Sequence, residues 1–163
     1  MQTLLDLLSR LHSNEVEFVL VGGMAGVVHG CTIVTEDLDV CAPFTPRNVT
    51  RLLSALDGLA PRHRMSPKKP PLGTDVAALS RFQNIYLVTE IGQFDILSSV
   101  DGVGDYEAVH EHSISVEVGE NRYRVLDIET LILAKEATGR PKDVQQIVQL
   151  KAIRARFLKE DSG

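Results

Sequence analysis

Tryptophan is absent from the chain, and aromatic residues make up only 5% of its 163 positions. With 44% hydrophobic residues, the core has to be built from Leu, Val, Ile and Ala. Cysteine is almost as scarce. Cys31 and Cys41 make no CxxC pair, so neither a disulfide framework nor a zinc site is expected. They read as small, semi-buried residues in a reducing cytosol. No apolar run is long enough for a membrane span. Met1 to Leu11 is apolar but carries Asp6 and Arg10 and lacks a small-residue cleavage site, which excludes a signal peptide. The expectation is a cytoplasmic protein with no membrane partner. Excess positive charge is also missing. A net charge of −5 argues against a general nucleic-acid-coating protein and leaves a local RNA contact open. Neither GxxxxGK[ST] nor GxGxxG occurs, so a P-loop and a dinucleotide fold are both unsupported.

The length suits one domain, with a sheet-containing core over 1–125 and a helical segment over 126–159. Leu4, Leu5, Leu8 and Leu11 recur at helical spacing and predict a helix ending near Asn14. Val16 to Val21 reads as a short buried strand, and Gly22-Gly23 leads into a short helix that Gly30 stops. Asp37 to Cys41 reads as a strand. Thr45-Pro46 then caps a helix with Val49, Leu52, Leu53 and Leu56 on one face.

Ala60 to Gly73, with four prolines and five basic residues, is expected to be the least ordered stretch. Asn84 to Thr89 and Gln93 to Leu97 predict a hairpin turning at Glu90-Ile91-Gly92. Ile114, Val116 and Val118 alternate with polar residues as in a half-buried strand. Asp127 caps a helix over Ile128 to Thr138, Gly139 stops it, and Pro141 opens another. This order implies an α+β fold, a mixed sheet flanked by helices.

Three features carry chemistry. Gly22-Gly23, between a strand and a helix, lets a ligand approach the backbone and free N–H groups, which makes a phosphate seat; an ordinary turn is the alternative. In Asp37-Leu38-Asp39, residues two apart share a strand face, so both carboxylates project together. Side by side they repel unless they share a cation, and hard oxygen ligands favour Mg²⁺ or Mn²⁺. The plainer alternative is a solvated strand face. Asp95, inside the apolar run Phe94-Asp95-Ile96-Leu97, needs compensation for its buried charge, which a shared metal supplies. Asp101 and Asp105 sit in a Gly-rich loop. His29, before Gly30, reads as a helix cap rather than a ligand or general base.

The stretch from Phe18 to Gly30, followed by Thr35-Glu36-Asp37-Leu38-Asp39, resembles the Gly-Gly…Asp-x-Asp signature of the nucleotidyltransferase superfamily, related in fold to DNA polymerase beta. Its small bacterial members, the abortive-infection toxins and minimal nucleotidyltransferases, are most similar. Leu126 to Ile132, Lys135 and Gly139 to Asp143 resemble their closing helical motif. The resemblance implies transfer of a nucleoside monophosphate from an NTP to an acceptor with release of pyrophosphate. It implies Asp37, Asp39 and Asp95 as catalytic metal ligands and Gly22 and Gly23 as the triphosphate seat. Lys135, Arg140 and Lys142 would face the nucleotide from the helical side, or else be solvated charges near a helix end.

Two positions depart from the pattern. Ile33 stands where many relatives carry arginine, and Gln146 where they often carry an acid. These leave a second possibility, a non-catalytic nucleotide-binding or regulatory module, and a third, one half of a toxin–antitoxin pair. The acceptor, whether a tRNA end, a protein hydroxyl or a small molecule, is not specified by the sequence. The cations between Arg62 and Lys69 read as a solvated loop, with a nucleic-acid grip as the alternative.

Overall fold

The computed structural model describes residues 2–33 and 35–161. Helix α1 (Gln2–Ser13) buries Leu4, Leu7, Leu8 and Leu11, so Leu7 joins the buried stripe and Leu5 is only partly covered. The strand expected from Val16 contracts to β1 (Val19–Val21). The residues before it find other backbone partners. Glu15 turns through a positive φ of 55°, Val16 N–H donates to Leu11, and Glu17 N–H donates to the Asn48 side chain at 2.8 Å.

The two glycines form the first turn of α2 (Gly22–Val28) rather than a break before it. His29 occupies the C-cap position, and its Nε2 meets the Leu126 carbonyl at 2.7 Å. Strand β2 (Asp37–Cys41) and helix α3 (Pro46–Ala55) follow as expected, with Thr45 accepting the Asn48 N–H at 3.2 Å.

The proline-rich stretch is a closed structure rather than a slack one, which corrects the expectation of disorder. It contains β3 (Arg62–His63), and its base is fastened by His63 N–H to Pro70 and Leu72 N–H to Pro61. Proline cannot donate such bonds but accepts them freely at an edge. A one-turn helix, α4 (Val76–Leu79), leads to the hairpin of β4 (Asn84–Thr89) and β5 (Gly92–Leu97). The Gly-rich loop contains a small ribbon of β6 (Ser99–Val100) and β7 (Gly104–Asp105), and Asp105 caps α5 (Tyr106–Glu111). Periodicity gave no sign of α4 or α5, both too short to show it.

Strand β8 (Ser113–Val118) half-buries Val116 and Val118, but Ile114 is 45% exposed because β8 is a sheet edge. Strand β9 (Asn121–Leu126) precedes α6 (Ile128–Thr138), capped by Asp127 and ended by Gly139 at a left-handed φ of 62°. A 3₁₀ turn (Pro141–Asp143) opens the long α7 (Val144–Asp161). Among the described residues no helix is long and apolar enough to cross a membrane.

The seven-stranded sheet runs β3-β4-β5-β2-β1-β9-β8. It is mixed. β2 with β5 and β1 with β9 pair in parallel, and the other neighbours are antiparallel. Helix α1 packs on α3 and β9, while α2 packs on α6 and α7. Alternation divides the middle of the sheet cleanly. Leu38, Val40, Ile85, Leu87, Phe94 and Ile96 are buried on one face. Their neighbours in sequence project from the other, and the acidic residues stand there.

Candidate active site

Asp39 lies opposite Asp95 in the parallel register of β2 and β5, and Asp37 lies opposite Gln93. Residues paired across strands share a face, so Asp37, Asp39 and Asp95 project together. Tyr86, opposite Asp95 on β4, joins that face. On the other side Val21 is opposite Asp39, and Gly22 follows it. Gly22 has φ of 68°, and a side chain there would overlap the Asp39 carboxylate. Only glycine lets the chain turn into α2 this close to an acid. At Gly23 an added Cβ would lie 2.8 Å from the Thr35 hydroxyl, so the second glycine is also required by packing.

The acids are crowded. Burial, with the nearby charges of Asp95 and Asp37 added, pushes the Asp39 carboxyl from its ordinary 3.8 up to about 6. Lys142 and Arg140 act in the opposite direction. Asp95 is raised too, by burial first. Its partner was not foreseen. Arg64 Nε donates to one Asp95 oxygen at 3.1 Å and Nη2 to the other at 2.5 Å, with Arg64 Cζ 5.4 Å from the Tyr86 ring centroid. The Arg64 N–H bonds to the Tyr86 carbonyl, which sets the side chain beside β4, one strand from Asp95. No spacing rule announces this arginine; the need of a buried acid for a cation is the only signal.

The helical side presents the opposite balance. Lys135 Nζ donates to Asp143 at 3.1 Å and Arg140 Nε at 2.9 Å. The side chains of Lys135 and Asp143 are only 4% and 7% exposed, while Arg140 reaches solvent. Lys135 is therefore a buried charge held by Asp143 rather than a solvated one near a helix end. Gln146 is 4% exposed and donates to the Gly23 carbonyl at 3.2 Å. A carboxylate could not make that bond. Its Oε1 has no partner among the described residues.

Two clefts meet at Asp39 and Arg140. One, of about 260 Å³, is bounded by Gly22, Tyr86, Asp95 and Lys135. The other, of about 460 Å³, is bounded by Gly23, Ile33, Thr35, Asp37, Lys142 and Gln146. Gly22, Gly23, the three acids, Lys135, Arg140 and Lys142 thus border this one region. Tyr86, Thr35 and Asp143 line it as well, and Arg64 stands behind Asp95.

The hard oxygens of Asp37 and Asp39, on one face and short of positive charge, fit a divalent cation. Among the described residues, however, no three carboxylate, imidazole or thiol side chains converge as a metal cage. The third acid is turned onto Arg64.

No protein-family model matches the chain, and no curated protein matches its sequence. Among solved structures it is similar to a Thermotoga maritima protein described as "a putative nucleotidyltransferase". The likeness covers 98% of this chain and 92% of that one, with a TM-score of 0.52 and 14% identity. The fold is nucleotidyltransferase-like. Mixed sheet, flanking helices and nearly complete coverage agree on that point.

Proposed function

We propose that the chain is a metal-dependent nucleotidyltransferase. It would move a nucleoside monophosphate from an NTP to an acceptor hydroxyl and release pyrophosphate. The observation that carries this reading is the placement of Asp37 and Asp39 on one face of β2, with Asp39 in register with Asp95 and close against the Gly22 turn. Asp37 and Asp39, joined by Asp95, would hold the cation, Mg²⁺ or Mn²⁺, which when bound would neutralise charge on the reacting phosphate oxygens. The N–H groups of Gly22 and Gly23, in a first turn with no side-chain cap, lie beside the same acids and suit phosphate oxygens.

Arg140 and Lys142 approach Asp39 from the other side and counter the charge of the triphosphate. Lys135 acts through Asp143, which fixes the direction of Arg140. Asp95 takes the proton of the acceptor hydroxyl.

A second reading, a nucleotide-binding module without transfer, is favoured by the capture of both Asp95 oxygens by Arg64 and by the loss of a phosphate-seeking cation at Ile33. One experiment separates the two. Each labelled NTP is incubated with Mg²⁺, a cell extract and either the wild type or Asp95→Asn. The transferase reading expects label on an acceptor and a fall in turnover of roughly 100-fold or more in the variant, with NTP binding little changed. Full turnover in Asp95→Asn would reduce Asp95 to a structural strand residue. Mg²⁺-independent NTP affinity, unchanged in Asp37→Ala with Asp39→Ala, would remove the metal site.

A further inference from the structure

Asp95 has two claimants. The chemistry proposed for the site needs its carboxylate, and Arg64 already holds both of its oxygens. We propose that Arg64 is the built-in counter-ion of the acidic cluster, competing with a divalent cation for Asp95, so that filling the site requires this ion pair to open. The inference rests on the metal-dependent reading above and adds to it a residue that governs when the third carboxylate is available. Arg64 is a positioning residue in this scheme, because it acts through Asp95.

Four observations support it. First, the grip is two-pronged, so Asp95 cannot turn a free oxygen towards Asp39 without giving up one bond or bending both. Lone pairs remain on the carboxylate, but a positive charge at 2.5 Å repels a second cation at the same oxygen. Second, Asp95 lies opposite Asp39 on the sheet face that also carries Asp37, so the arginine bonded to Asp95 stands beside the whole cluster. It is thus the cation present where a metal would otherwise balance these charges.

Third, the guanidinium has somewhere to go. The Tyr86 face lies 5.4 Å from Cζ and retains a cation after Asp95 lets go. Among the described residues its Nη1 meets only the sulfur of Met65, a weak acceptor and itself 69% exposed, so that end of the group is open to an incoming anion. Fourth, Arg64 follows directly after β3, a two-residue edge strand, where a side chain can swing without disturbing a buried ladder.

The test is calorimetric titration of Mn²⁺ into the nucleotide-free full chain. Arg64→Ala is expected to bind Mn²⁺ about tenfold more tightly than the wild type, as removal of a directly competing charge implies. Arg64→Lys, which keeps the charge but loses the two-point grip, should fall between them. The gain should vanish when Asp95→Asn is added to Arg64→Ala, since Arg64 then has nothing to withhold. A purely structural arginine predicts the reverse, equal or weaker binding in Arg64→Ala, and that result overturns the proposal.

If Arg64→Ala does not fold, tighter binding by Arg64→Lys than by the wild type supports the competition in its place, and equal or weaker binding overturns it. The two readings fail differently. Mn²⁺ bound equally well by the wild type and every Arg64 variant overturns the competition alone. Mn²⁺ bound by none of them overturns both the competition and the metal site.

Discussion

The clefts at Asp39 lie between two ionic clusters of opposite balance. On the helical side one carboxylate, Asp143, serves two cations, Lys135 and Arg140. On the sheet side one cation, Arg64, serves Asp95 beside two further acids, Asp37 and Asp39. The first cluster has its buried charges matched and hydrogen-bonded, and it fastens α6 to the turn that opens α7. The second is short of positive charge, and the raised Asp39 carboxyl records the shortage. A fold selected for stability alone would have no reason to crowd three acids on one sheet face. Imbalance of this kind marks where an outside cation is expected, whereas balance marks a structural fastening.

The contrast can be broken by mutating each side. The largest effect is expected at Asp143. Replacing it with Ala leaves Lys135 buried without its carboxylate and should cost about 3–5 kcal/mol in urea unfolding. A loss below about 1 kcal/mol would mean that this cluster is no fastening.

Next comes Asp39, where the sign reverses. Its folded carboxyl titrates near 6 against an ordinary 3.8, so the folded state holds the proton more strongly than the unfolded state. The resulting penalty is complete above about pH 6 and is relieved as pH falls towards 3.8. With chelator present, Asp39→Asn should therefore be more stable than the wild type by roughly 1–3 kcal/mol at pH 7.5, and the gap should close by pH 4. Destabilisation by Asp39→Asn at neutral pH would show that the carboxylate is already satisfied. The smallest effect is expected in the loop beyond Arg64. Lys68 and Lys69 belong to neither cluster and are exposed. Lys68→Ala with Lys69→Ala should change stability by less than about 0.5 kcal/mol. NTP affinity should hold across a salt series; a steep salt-dependent loss would extend the cationic balance of the site out to that loop.

Much of this contrast is legible in the sequence, and the illegible part has physical causes. The Asp37-Leu38-Asp39 alternation, the β4–β5 hairpin and the Asp127 and Thr45 caps all express local rules of period, turn and capping. The relation of Asp39 to Asp95 requires only that their strands be neighbours. Arg64 is hidden because its partner lies on another strand and its own segment reads as a loop, with prolines masking a short edge strand. Lys135 is visible as a charge but not as a buried one, since an ion pair with Asp143 across a turn leaves no periodic trace. Gln146 looks like a loss relative to an acid. In the fold its amide donates to the Gly23 carbonyl, a tie that only the approach of α7 to α2 reveals.

The parallel pairing of β2 with β5 has a kinetic side. The hairpins β4–β5 and β8–β9 can zip from their turns, but β2 reaches β5 only after the intervening chain, with α3 and the proline-rich segment, has been closed into a loop. Such non-local pairings set the pace of folding. Here that late step also brings Asp39 against Asp95 and confronts like charges that were far apart in the open chain. Dissolved ions screen this encounter, so ionic strength becomes a control on how fast the chain folds, through the strand junction where these acids meet.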